Sequence, residues 1–128
     1  MSNKEPGEIG WIDMTTTDAE GVRDFYQAVV GWQADGVDMD GGPSQGGYQD
    51  YTMMVGDTAV GGICHAIGSN ADLPPGWLIY ITVDDLDASI AAAIERGGEV
   101  VVPARSMGSA RLAVIRDPGG SVAALYQS

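Results

Sequence analysis

One order of signals occurs twice in this chain and limits its possible folds more than any other feature. In each half a strand-like run precedes a helix-like run, and further strand-like runs follow, the two copies offset by roughly 66 residues. In the first copy, Glu8 to Thr16 alternates Ile12, Met14 and Thr16 with Trp11, Asp13 and Thr15, the period of two that a sheet requires. Thr17 and Glu20 have the spacing of a capping box, which predicts a helix start. Ala19, Val22, Phe25, Tyr26 and Val29 then trace one apolar helix face, and Gly31 is a natural stop. Asp35 to Gly47, with Pro43 and Ser44, reads as a mobile loop after at most a short edge strand; its glycines permit closure over a cavity. Tyr48 to Val55 and Thr58 to Ile67 read as strands around a Gly56-Asp57 turn.

The second copy begins at Trp77 to Val83, rich in β-branched and aromatic residues. Asp84 and Asp87 open a helix with Leu86, Ile90 and Ile94 on one face, closed by Gly97-Gly98. Strands follow at Glu99 to Val102, Arg111 to Ile115 and Val122 to Tyr126, the last after the turn Asp117-Pro118-Gly119-Gly120. The expected organisation is one α+β domain: residues 1–7 a disordered lead-in, 8–68 the first module, 69–76 a linker carrying Pro74-Pro75, and 77–128 the second module. Neither half is long enough to bury a sufficient core alone, so the two are expected to pack together.

Charge and cysteine content narrow the chemistry. The chain has 128 residues and a net charge of −12, with six Lys and Arg residues that form no basic stripe. Such a surface repels phosphate backbones and anionic lipid, which argues against nucleic acid and membranes as partners. The acidity either serves solubility or favours cationic ligands. No apolar run approaches the roughly 20 residues of a membrane span, and the first residues lack an apolar signal core, so a cytoplasmic location is expected. Cys64 is the single cysteine, which excludes an internal disulfide and a cysteine metal cluster. It reads as a small core residue. His65 is the single histidine, and on a strand it faces away from Cys64, a poor geometry for a Cys–His nucleophile. It reads either as a structural residue at a strand end or as a polar or acid–base group in a cavity. Gly41-Gly42 and Gly46-Gly47 lack the continuation of a phosphate loop.

Several stretches resemble the vicinal oxygen chelate proteins, a superfamily that includes glyoxalase I, bleomycin- and fosfomycin-resistance proteins and extradiol dioxygenases. They are Thr17-Asp18, Phe25-Tyr26 and Gly31-Trp32 in the first copy. In the second they are Pro75 to Asp85, Gly97-Gly98 and Asp117 to Gly120. The resemblance spans about residues 8–127 and implies two βαβββ modules in a cupped mixed sheet, helices outside, with a concave ligand cavity and a homodimer. Family enzymes hold a divalent ion with His, Gln or Glu on four strands, side chains that bind such ions while leaving sites for substrate oxygens. Counted from Asp18, Asp84 and Asp117, three of those positions fall on Trp11, Leu78 and Ala124, and the remaining one near Gly62 or Ile63. None can coordinate a metal through its side chain, so neither metal nor other cofactor is expected.

The candidate ligand-binding residues are therefore Trp11, Asp13, Leu78, Tyr80, Ala124 and Tyr126, with Asp13 and His65 the candidate catalytic groups. Alternation sends Trp11 and Asp13 to one face, and Leu78, Tyr80 and Thr82 together with Val122, Ala124 and Tyr126 inward. Aromatic walls with a carboxylate suit a small planar or cationic ligand. Alternatively the rings fill the cup as core and Asp13 makes a structural hydrogen bond. Trp32 is expected in the core and Trp77 at a rim or dimer contact. The expected function is a metal-free small-molecule-binding protein. The alternatives are a lyase, isomerase or dioxygenase with a relocated metal, or an Asp13–tyrosine acid–base enzyme, or an assembly module.

Overall fold

A computed structural model describes residues 4–40 and 46–128. The element order is β1 (Ile9–Thr16), α1 (Ala19–Val30), β2 (Gln33–Met39), β3 (Tyr48–Val55), β4 (Thr58–His65), a short 3₁₀ turn (Gly68–Asn70), β5 (Gly76–Thr82), α2 (Leu86–Glu95), β6 (Glu99–Met107), β7 (Ala110–Arg116) and β8 (Val122–Gln127). Strand–helix–three strands thus occurs twice, and the fold is α+β. The eight strands are hydrogen-bonded in the order β2-β3-β4-β1-β5-β8-β7-β6, a mixed sheet. Contacts divide the chain into two compact units, one of residues 12–77 and one joining the N-terminal residues through Trp11 to residues 78–128. β1 contributes residues to both.

In the 12–77 unit, β1 runs parallel to β4, while β2–β3 and β3–β4 are antiparallel. α1 packs on β4 and β2. Ala19, Tyr51, Met53 and Ile63 are buried together, with Val22, Tyr26, Trp32, Ala34, Val60 and Trp77 packed against them. Trp32 is therefore in the core region as its sequence position suggests. Trp77, half-buried, packs against the core of its unit: its indole N–H donates to Tyr26 Oη at 3.1 Å, and its ring meets those of Tyr26 and Trp32 edge-on. Such aromatic contacts add about 0.5–1.5 kcal/mol per pair beyond burial, which explains why a tryptophan next to the linker is drawn inward.

The start of α1 differs from the capping box. Asp18, not Thr17, is the cap: its Oδ1 accepts from the Gly21 N–H at 3.1 Å, and its own N–H donates to Thr16 Oγ1. A carboxylate accepts this bond and complements the positive end of the helix dipole, an advantage the Thr17 hydroxyl lacks. Gly31 ends α1 at φ 79°, a left-handed conformation suited to glycine, and its N–H donates to Gln27 O at 3.1 Å. The expected loop from Asp35 is corrected as well. Residues through Met39 form β2, paired along its length with β3 from Gln33↔Met54 to Met39↔Tyr48. As the edge strand it carries Asp35 and Asp38, charges that deter further pairing and that read as loop in the sequence. Residues 41–45, the centre of the expected mobile loop, lie outside the described residues, as do residues 1–3 of the lead-in.

In the other unit, β5 runs parallel to β8, and β6–β7 and β7–β8 are antiparallel. The Gly7 N–H donates to Thr82 O, and the Thr82 N–H donates to Glu8 O. α2 covers Leu86, Ala113 and Leu125, with Ile81, Val83, Ile90, Ala104 and Ile115 around them. Its cap is Asp85, whose Oδ1 accepts from the Ala88 N–H at 3.1 Å; the expected opener Asp84 lies outside it, and Asp87 sits in the first turn. Gly98 is required where it stands: a Cβ there would lie 2.8 Å from Arg116 O. β6 and β7 run on to Met107 and back from Ala110, longer than composition suggests, because Pro103 falls among register shifts of an edge strand, where a missing N–H is tolerated.

Candidate functional site

Strand register decides which side chains share a face. In the 12–77 unit, Met14 lies beside Ile63, which packs in the α1 cluster. Asp13 beside Gly62 and Thr15 beside Cys64 therefore belong to the face away from α1, where β3 adds Thr52 opposite Gly62. In the other unit Ile81 and Leu125 pack toward α2. Tyr80, aligned with Ala124, and Thr82, aligned with Tyr126, take the opposite face with Leu78. Leu78, Tyr80 and Ala124 are buried at 3%, 4% and 0% exposure, while Trp11 and Tyr126 are half-buried. Asp13, half-buried, belongs to the 12–77 unit.

Cys64 and Asp50 add an acidic neighbourhood to the Asp13 face. Burial pushes the Cys64 thiol far above its ordinary range, and the charges of Asp13 and Asp50 push in the same direction. Asp50 is itself buried, and its Oδ1 accepts from the His65 N–H at 2.8 Å. Sequence reasoning passed over Asp50; the available signal was a lone carboxylate inside the apolar run Tyr48 to Val55. A thiol held protonated is a poor nucleophile. Iodoacetamide at pH 8 is accordingly expected to alkylate Cys64 in the folded protein more than about tenfold slower than in the urea-unfolded chain, as intact mass spectrometry over time would show. Equal rates would mean that the thiol is exposed and ionisable.

His65 lies on the α1 side, one residue from Cys64 and on the opposite face, as alternation requires. Its Nε2 is buried and makes no aligned hydrogen bond among the described residues, although Glu20 Oε2 stands 3.3 Å away, close enough for an ion pair when the ring is protonated. Tyr48 meets the imidazole edge-on at 5.4 Å between centroids, and the Tyr51 ring lies behind it at 6.4 Å. His65 and Asp13 therefore occupy opposite faces of the same unit. A mechanism sharing a proton directly between them is not supported by this placement.

The residues do not fit a divalent metal. Trp11, Leu78 and Ala124 carry no coordinating atom in their side chains, and neither Gly62 nor Ile63 does. Among the described residues no group of three His, Cys, Asp or Glu side chains is placed to hold an ion. Asp13 and Asp50 set charge near Cys64, whose thiol stays protonated, and the three do not form a coordination shell.

Strand–helix–three strands occurring twice, each helix packed on the strands of its own unit, defines the class to which this architecture belongs. The chain is a member of the Glyoxalase/Bleomycin resistance protein/Dioxygenase superfamily, whose family model matches residues 8–125. Among curated proteins it is 33% identical over 128 residues to CFP32 of Mycobacterium tuberculosis, named as a candidate glyoxylase, covering 99% of this chain and 48% of that protein. It is 30% identical over 116 residues to the anthracycline biosynthesis protein DnrV of Streptomyces peucetius, covering 91% and 40%. The chain thus spans about half the length, or less, of the curated relatives it matches. Among solved structures, a hypothetical protein from Bacillus halodurans, BH1468, aligns at a TM-score of 0.58 with 17% identity over 97% of this chain and 96% of that one. Streptomyces coelicolor methylmalonyl-CoA epimerase, solved with 2-nitronate-propionyl-CoA, aligns at 0.54 with 19% identity over 97% and 96%. At these identities the structural likeness establishes the fold. No helix among the described residues is long and apolar enough to cross a membrane.

Proposed function

We propose that this chain is a small-molecule-binding protein that works without a metal, holding a small aromatic or cationic compound on the sheet face away from the helices. The observation that carries this reading is the side-chain chemistry at the family's four ligand positions, where Trp11, Gly62 or Ile63, Leu78 and Ala124 offer no donor. In the unit of residues 78–128, Leu78, Tyr80, Ala124 and Tyr126 with Trp11 supply apolar and aromatic surface; in the 12–77 unit Asp13 is the carboxylate proposed for a cation. The net charge of −12 raises the local concentration of cations around such a face. The concave cavity, the 8–68 and 77–128 modules with their 69–76 linker, the homodimer and a cytoplasmic location belong to the same proposal. Neither nucleic acid nor membrane suits the acidic surface as a partner.

A second reading, an enzyme using Asp13 with a tyrosine as acid and base, draws on the 33% identity to a protein named as a candidate glyoxylase. Calorimetric titration tests the first reading. Chelator-treated protein titrated with 9-aminoacridine, a planar cation, is expected to show saturable binding that added Mn²⁺ or Ni²⁺ leaves unchanged. Asp13→Asn is expected to weaken it about tenfold, roughly 1.4 kcal/mol, while leaving binding of neutral acridine alone. Absence of binding until a divalent ion is restored would overturn the metal-free reading.

A further inference from the structure

On the α1 side of the 12–77 unit, Arg23, Gln27, Ala34, Gly36, Gln49 and Tyr51 line an open groove of about 240 Å³ between the helix and the β2–β3 hairpin. Its polar groups are held in place before any ligand arrives. The Arg23 guanidinium carbon sits 4.7 Å from the centroid of the buried Tyr51 ring, which restrains the guanidinium. Gln49 Nε2 donates to Asp38 Oδ1 at 3.0 Å, fixing the amide, and Gly36 makes room for it: a Cβ at Gly36 would lie 2.6 Å from Gln49 Oε1. Arg23 is the sole Lys or Arg between positions 12 and 77.

Among the described residues, the exposed Asp24 hydrogen-bonds one edge of the guanidinium. Arg23 Nε donates to Asp24 Oδ1 at 2.9 Å, and Nη2 lies 2.9 Å from the same oxygen. Adjacent, solvent-exposed pairs of this kind are weak, so Asp24 is a displaceable occupant of the fork. We propose that the groove binds a small carboxylate with a nearby hydroxyl. The carboxylate takes the planar fork of Arg23, and the hydroxyl donates to the oriented Gln49 Oε1. The volume is below the 300–1,000 Å³ or so of typical ligand pockets, which restricts the guest to a few carbons. The acidic surroundings repel an anion at long range, so millimolar affinity is expected. This groove lies on the helix side and is independent of the face proposed above.

The test is a titration of ¹⁵N-labelled protein with 3-hydroxybutyrate, and with the neutral 3-hydroxybutyramide as control, following Arg23 Nε–H and the Gln27 and Gln49 side-chain amides by NMR. Saturable shifts with the carboxylate and none with the amide are expected. Asp24→Asn, which frees the fork, should tighten binding at least about threefold, and Arg23→Gln should abolish it. Both substitutions are at surface positions, and unchanged backbone spectra would establish that the variants are folded. Equal shifts from carboxylate and amide, shifts that survive Arg23→Gln, or an affinity that Asp24→Asn does not raise would each overturn the proposal.

Discussion

Ala124→Glu is expected to lower stability at pH 7 by about 3–5 kcal/mol, and no divalent ion is expected to restore it. Position 124 is where the family resemblance puts a metal ligand, and here the side chain is 0% exposed, aligned between Tyr80 on β5 and Val114 on β7. A carboxylate in that buried layer is desolvated between Tyr80 and Val114, so its native pKa rises above the unfolded value of about 4.3. The sign then follows from linkage. Between those two values the native state binds more protons than the unfolded state, so stability falls as pH rises. The ionisation penalty is absent below the unfolded pKa and complete above the raised native one. Urea midpoints at pH 4 and pH 8, with and without Mn²⁺ or Ni²⁺, measure it. A stability regained on adding the ion would mean that neighbouring groups can complete a metal site, and the metal-free reading would fall. Leu78 and Trp11, where the resemblance puts two other ligand positions, carry no coordinating atom in their side chains to complete it with.

Leu86→Ala is the second large effect, a loss of about 2–5 kcal/mol through lost transfer energy and the cavity left behind. Leu86 is 0% exposed and joins α2 to Ala113 of β7 and Leu125 of β8. Its backbone N–H, held by Gln127 Oε1 at 2.7 Å, survives the substitution, so the loss reports packing and not capping. Ile94→Ala on the same helix is the control. That side chain is 57% exposed, and a change within about 0.5 kcal/mol is expected. Thermal or urea unfolding of both variants checks the contrast. Similar losses at the two positions would mean that Ile94 is packed as closely as Leu86. Losses of this size matter in a domain whose total stability is about 5–15 kcal/mol.

The sidedness of the strands was legible because period two is a local property. Met14 against Asp13, and Ile81 against Tyr80, fall on the faces that alternation assigns, since pleating leaves no other choice. Helix ends were legible to within a residue: Gly31 stops α1 as expected, while the caps moved to Asp18 and Asp85 among several adjacent candidates. β2 was hidden because its Asp and Gly residues are loop formers by propensity. A strand on a sheet edge is stabilised by its ladder with β3, a pairing that the residue types of β2 alone do not signal.

What the sequence alone determined is what depends on near neighbours and on residue type: two βαβββ modules, their faces, and the absence of coordinating side chains at Trp11, Leu78 and Ala124. Tertiary structure decided what depends on distant partners. It turned Trp77 inward onto Tyr26 and Trp32, set His65 beside Glu20 on the face opposite Asp13, and buried Cys64 near Asp13 and Asp50, so that burial first and the two charges second hold its thiol protonated. It also brought Arg23 of α1 over Tyr51 of β3, a groove with no signature along the chain. The physical reason is range. Backbone alternation and capping act over a few residues, whereas desolvation, ring packing and ion pairing depend on what the fold brings within a few ångströms.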